Sequence, residues 1–231
     1  TGFAQVEKAV AAIKQKYGTT EGKKIICFSG SRQASGWRMR AEGFLDGMKL
    51  HPEMKFEEWD CGGDIAGWAN QADIYFSTDT CDAIVSGSGG PYFRGIIESL
   101  DRYGKLYYVG DPNHIYCTDI DGKPTDLQWI RRGYLDDCFS QSPDCLMPIG
   151  WILARDYIVK DPSYQYPPYT MPSLPTPMTV SAPAGGYWPA GATMKIDKGL
   201  IFPQVSMPQG VSPVYAVNKD NVNDIRIWGN Q

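Results

Sequence analysis

Between residues 24 and 132 the chain alternates short apolar runs with longer stretches of helical period, and no other feature restricts its fold so tightly. The apolar runs are Lys24-Ile-Ile-Cys-Phe28, residues 55–60, Ala83-Ile-Val85 and Ile115-Tyr-Cys-Thr118. Short runs rich in branched and aromatic residues, bounded by Gly, Ser and Asp, read as buried strands. Between and after them, residues 36–50, 64–76, 92–103 and 125–132 read as helices, the first ended by His51-Pro52 and the last closed by Gly133. An earlier helix over 4–17 places Val6, Ala9, Val10, Ile13 and Tyr17 on one face, with Gly18 as its C-cap. This rhythm predicts an α/β fold, a parallel sheet flanked by helices on both faces. In such sheets ligands lie beyond the carboxyl ends of the strands, here the loops 29–37, 60–65, 86–91 and 119–124.

A further helix is predicted over 146–159, after which the texture changes. Of the 17 prolines, 11 fall between Pro162 and Pro213. Tyr164, Tyr166, Tyr169, Tyr187, Trp188, Ile201 and Phe202 make this stretch too apolar for a solvated linker. It reads as an extended, largely irregular wrap with a few short strands, finishing on Val214-Tyr-Ala-Val217.

Composition excludes several functions. Lys+Arg number 22 against 26 Asp+Glu, with no basic block, so no nucleic-acid partner is expected. The two histidines, His51 and His114, cannot build a multi-histidine metal centre, and none of the six cysteines forms a Cys-x-x-Cys pair. No metal and no cofactor are therefore predicted. Cys138 and Cys145 are expected either to bridge or to remain reduced, buried thiols. No apolar run approaches the roughly 20 residues of a membrane span.

The loops carry the candidate chemistry. Ser86-Gly-Ser-Gly-Gly-Pro91 joins a strand to a helix, where main-chain N–H groups can cradle a phosphate, but it lacks a Gly-Lys-Ser/Thr ending and simple turn chemistry explains it as well. Arg38 and Arg40 follow Gly36-Trp37 at a helix start, Asp121-Gly122 follows a strand, and Gln141 lies between two serines. Arginine, carboxylate and amide together supply donors and acceptors for neighbouring hydroxyls, and tryptophan supplies a flat apolar face for a pyranose.

These signals resemble one family. Trp37-Arg-Met-Arg-Ala-Glu-Gly-Phe-Leu-Asp-Gly-Met48 is similar to the Arg-x-x-Gly-Phe helix start of type I periplasmic sugar-binding proteins, the group of the ribose-, galactose- and xylose-binding proteins. The run from Asp121-Gly122 to Gln141-Ser-Pro143 resembles the family's Asp-Gly, helix, Gly, strand, Gln-x-Pro segment, and residues 217–230 resemble its C-terminus. The resemblance implies that Arg38, Asp121 and Gln141 hydrogen-bond sugar hydroxyls, with Trp37, Asp64, Trp68 and Ser88 as further contacts. One departure is Gly89-Gly90, where the family often has Asn-Asp. Family members also begin with another α/β lobe, so the resemblance implies the C-terminal portion of a longer protein with its N-terminal lobe missing. Residues 1–137 would be the C-terminal ligand-binding lobe, 138–160 a hinge crossing onto the N-terminal lobe, and 161–231 the Pro-rich tail returning across the hinge.

The implied function is the solute-binding component of an ABC importer, exported to the periplasm, not an enzyme, that delivers a carbohydrate to a membrane permease. A ligand-sensing receptor domain, for a signalling sugar or nucleoside or as a repressor core, is the alternative binding reading. An α/β enzyme using the loop 86–90 is the alternative from another class.

Overall fold

A computed structural model describes residues 1–140, 151, 155, 178–181, 193–202, 205–211, 215–225 and 227–230. The first elements are helix α1 (Gly2–Tyr17), strand β1 (Lys24–Ser29), α2 (Ser35–Met48), β2 (Lys55–Asp60), α3 (Ile65–Thr78), β3 (Ala83–Ser86), α4 (Pro91–Arg102), β4 (Tyr116–Asp121), α5 (Pro124–Arg132) and β5 (Asp137–Ser140). They are followed by β6 (Met178–Ser181), β7 (Thr193–Phe202), β8 (Val205–Val211) and β9 (Tyr215–Asn218). The chain forms two compact units, one of Thr1–Ser140 with Tyr215–Asp224 and Asn230, the other of the remainder.

The first unit is a six-stranded sheet in the order β2-β1-β3-β4-β5-β9, parallel except for the antiparallel edge strand β9. Sequence order reverses at β1, so the chain winds outward in both directions and a crevice opens between the carboxyl ends of β1 and β3. Alternation along the strands divides the core in two. Ile25, Cys27, Ala83 and Val85 pack with Val6, Ala9, Val10 and Ile13 of α1 and Ala41, Phe44 and Met48 of α2. On the other face Phe28 meets Tyr75 and Phe76 of α3, which packs against α4. Phe28, Phe44, Phe76, Ile25 and Ile84 are completely buried, and each such side chain contributes about 1.5–3 kcal/mol.

The alternating elements lie where the periodicity predicts them, including the left-handed Gly18 and Gly133 caps. Two boundaries differ. The fourth parallel strand starts at Tyr116 and runs to Asp121, so Asp119 and Ile120 belong to the sheet, not to a loop. A lobe ending at 137 would cut β5, which pairs in register with Thr118–Asp121; the unit runs through Ser140 instead. It also recruits β9, expected as part of the tail, through Asp137↔Asn218 to Ser140↔Tyr215.

The second unit holds a three-stranded antiparallel sheet, β6-β7-β8, with a register shift between Ile196 and Lys198. Strands of ten and seven residues are more regular than the proline content predicts. Pro208 sits in β8, which is an edge strand, where a missing N–H donor is tolerated. Of the helix predicted over 146–159 only residues 151 and 155 are described, and Gln141 and Cys145 lie outside the described residues.

Candidate binding site at the carboxyl ends of the strands

β4 delivers Asp121 to the crevice end of the sheet. Its φ is +99°, and it is the one non-glycine residue with positive φ among the described residues. Such backbone costs on the order of 1–3 kcal/mol and persists where the surroundings impose it, commonly at ligand sites. Ser140 Oγ on β5 donates to the Asp121 main-chain oxygen at 3.3 Å, and Gly122 continues the turn.

Two cations flank the Asp121 carboxylate. Arg40 Nη2 lies 3.3 Å from Oδ1 and Lys123 Nζ lies 3.0 Å from Oδ2. Arg40 also donates from Nη1 to the main-chain oxygen of Gly87 at 2.8 Å. One guanidinium from α2 thus ties the end of β4 to the loop after β3. The Arg40 and Asp121 side chains are 16% and 22% exposed, so the pair is largely shielded from solvent without being sealed off from it.

Aromatic rings stand beside this pair. The Trp37 ring packs on Gly30, where a Cβ would come within 2.2 Å of it. Trp37 meets Tyr92 edge-on at 5.8 Å between centroids, and Lys123 Nζ lies 6.0 Å from the Tyr92 ring. Trp37 and Tyr92 are both half-buried. At the ends of β1 and β2, Arg32 Nη2 reaches both oxygens of Glu58 at 2.6 Å, and Ser29 Oγ donates to Glu58 at 2.7 Å.

The glycine-rich loop is closed from behind. Ser86 Oγ donates to the Ser88 carbonyl at 2.6 Å, and Gly87 N–H to Phe28 O at 2.8 Å. Asp126, in the first turn of α5, accepts from Gly90 N–H at 2.5 Å and from Lys123 N–H at 2.8 Å. The Gly90 N–H that a phosphate would need is already bonded, so turn chemistry, not a phosphate cradle, describes this loop.

Several predicted site residues are placed differently. Arg38 does not face Asp121; it is 40% exposed and pairs along its own helix with Glu42 at 4.0 Å. Two positions along a helix turn a side chain by roughly 200°, so Arg38 and Arg40 cannot serve the same face. The spacing Arg-x-x-Gly-Phe picks out Arg40-Ala-Glu-Gly-Phe44 and is the signal that should have chosen Arg40. Asp64 is exposed and N-caps α3, accepting from Gly67 N–H at 2.8 Å. Trp68 is fully buried beside Tyr92, so it is core rather than a stacking platform. Ser88 is buried within its turn. Trp37 and Asp121 stand at the crevice, and Gln141 is outside the described residues. Cys138 carries a free, buried thiol.

Two clefts of about 400 and 440 Å³ open around His114 at the opposite, amino-terminal ends of the strands. His114 is engaged there by Tyr107 O and Asp136 Oδ2, both at 2.8 Å.

Among the solved structures this chain resembles are solute-binding proteins. A galactofuranose binding protein matches with a TM-score of 0.62 at 12% identity, over 97% of this chain and 61% of its own. A periplasmic solute binding protein of an ABC transporter from Actinobacillus succinogenes 130z, with bound D-allose, matches with a TM-score of 0.59 at 10% identity, over 96% and 59%. An ABC transporter solute binding protein from Bacillus halodurans C-125, with bound myo-inositol, matches with a TM-score of 0.50 at 21% identity, over 61% and 45%. The chain thus spans 45–61% of the length of these three proteins. No curated protein matches it by sequence. The periplasmic binding protein domain matches residues 1–155 of the 231, and the chain belongs to that family.

Proposed function

We propose that this chain supplies one wall of a cleft that binds a sugar or related polyol, and that it acts as the solute-binding component of an ABC importer outside the cytoplasmic membrane, handing its ligand to a membrane permease. The observation that carries the reading is the Asp121–Arg40 pair at the carboxyl end of the sheet, beside the Trp37 and Tyr92 rings. A carboxylate accepts two hydroxyl protons in charge-assisted bonds, a guanidinium donates to neighbouring oxygens, and an indole face covers the C–H side of a sugar ring. The kinship with proteins solved with D-allose and myo-inositol supports a polyhydroxylated ligand.

Since the chain spans at most about three fifths of those proteins' length, the opposite wall belongs to the part of the architecture outside it. A one-walled site leaves the hydroxyls in competition with water, so binding by this chain alone is weak, in the millimolar range of about −4 kcal/mol. Saturation-transfer NMR of the chain with a panel of pentoses, hexoses and inositols tests the reading. At least one sugar should receive saturation in the parent chain and none in Asp121→Ala. A panel without any transfer contradicts the reading.

A further inference from the structure

Directly behind the Asp121 face, three groups meet in the interior: Asp119 of β4, Asp126 of α5 and Cys138 of β5, all buried, with their ligating atoms within 4.8 Å of one another. Asp119 is completely buried, and neither of its oxygens meets an N–H or O–H donor. An ionised carboxylate in that position would pay its whole desolvation cost without return. Asp126 differs, since its two oxygens accept the main-chain N–H groups of Gly90 and Lys123. The cluster fits closely under the glycine loop, because a Cβ on Gly89 would lie 2.7 Å from Asp126 Oδ2, 2.9 Å from Asp119 Oδ2 and 2.1 Å from Ile120 O.

We propose that Asp119 and Asp126 share a single proton, Asp119 as the acid and Asp126 as the carboxylate, and that this buried pair is the positioning element for the sugar-binding wall. The Asp119 O–H donates to Asp126, and the Cys138 S–H donates to Asp119. One proton then satisfies every buried oxygen in the cluster. Asp126, kept ionised, holds Gly90 and Lys123 by their N–H groups, and Lys123 Nζ reaches Asp121. The charged and titratable groups around the pair are Asp121 further along β4, Lys123 ahead of α5, and the Cys117 and Cys138 thiols on β4 and β5. Burial pushes Asp119 well above the ordinary carboxylate range, the charge on Asp126 adding to it, and pushes both thiols up, which agrees with a neutral Asp119 and neutral thiols. A divalent ion in the same place would need a Cys138 thiolate and an ionised Asp119 in a dry interior, and it would compete with the two N–H groups for Asp126.

The shared proton stands on the buried geometry alone, whereas the positioning role rests on the sugar-binding reading, and the two are tested separately. Infrared spectra of the sugar-free chain near neutral pH should show a carboxylic-acid C=O band that shifts in D2O and vanishes in Asp119→Asn. Asp119→Asn, which replaces O–H by N–H, should fold, while Asp126→Asn should weaken sugar binding about tenfold. A band unchanged in Asp119→Asn, or a divalent metal retained stoichiometrically by the parent and lost in that variant, overturns the shared proton. Parent-like sugar binding in Asp126→Asn overturns the positioning role. A band present in a parent chain that binds no sugar upholds the shared proton and sinks the sugar reading instead.

Discussion

Arg40 on α2 reaches across the crevice to place Nη2 3.3 Å from Asp121 Oδ1, while Arg38, two residues earlier, turns away to Glu42 on its own helix. The contrast separates two arginines that look interchangeable in sequence. Arg40→Ala should weaken sugar binding at least about tenfold, or about 1.4 kcal/mol, because it frees the Gly87 carbonyl and removes one of the cations flanking Asp121. Arg38→Ala should stay within about twofold of the parent, since exposed i,i+4 pairs contribute little. NMR titration of both variants with the same sugar checks the pair.

Gly89→Ala should destabilise the fold. A methyl group there meets the main-chain oxygen of Ile120 at 2.1 Å as well as both buried carboxyls, and neither β4 nor α5 can retreat without repacking. We expect a loss of about 2–3 kcal/mol in urea unfolding, the scale of overpacking in a dense core.

Asp64→Ala provides the opposite signature. Its carboxylate caps α3 through Gly67 N–H, so the variant should lose about 1 kcal/mol of stability in thermal unfolding and leave sugar binding unchanged. Reduced binding would put Asp64 back at the ligand.

Stability should respond to pH through the buried carboxyls. Burial raises Asp126 to about 6, opposed by the Gly90 and Lys123 N–H groups, and raises Asp119 well above the ordinary carboxylate range. Both folded values lie above the unfolded ones, so the folded chain binds more protons through this window. Their stabilising contribution is complete below about pH 4 and falls as pH rises through about 6 and beyond. Urea midpoints compared between the parent and Asp119→Asn from about pH 4 to 8 should show a steeper fall in the parent. Parallel curves would mean that Asp119 takes up no proton on folding.

Much of the fold was legible because its signals are local. Val6, Ala9, Val10 and Ile13 recur at helical spacing and form one face of the core, and Gly18 and Gly133 mark helix ends by a left-handed backbone that other residues resist. The site was legible only in part, because its partnerships are long-range. Asp121 stood out beside Gly122, but its partner depends on the rotation of α2, and a shift of two residues exchanges Arg40 for Arg38. Asp119 looked like a loop residue because β4 runs three residues past the apolar run that signals it. Asp126 reads as an ordinary first-turn acid in α5, and only the fold brings Gly90 and Asp119 against it. In the proline-rich region the side-chain pattern concealed strands whose pairing is a matter of backbone register.

The central claim is that Asp121 holds the ligand, and titration of one sugar into the parent chain, Asp121→Asn and Asp121→Ala tests it most directly. Asp121→Ala leaves hydroxyl donors, Arg40 and Lys123 without their acceptor, a loss of about 2–4 kcal/mol that would take a millimolar complex out of detection. Asp121→Asn keeps one acceptor oxygen and should bind measurably, though more weakly than the parent. All three should unfold at similar urea concentrations, because the carboxylate stands at the crevice and not in the core. If folded Asp121→Ala binds the sugar as tightly as the parent does, Asp121 is a turn residue and the site lies elsewhere.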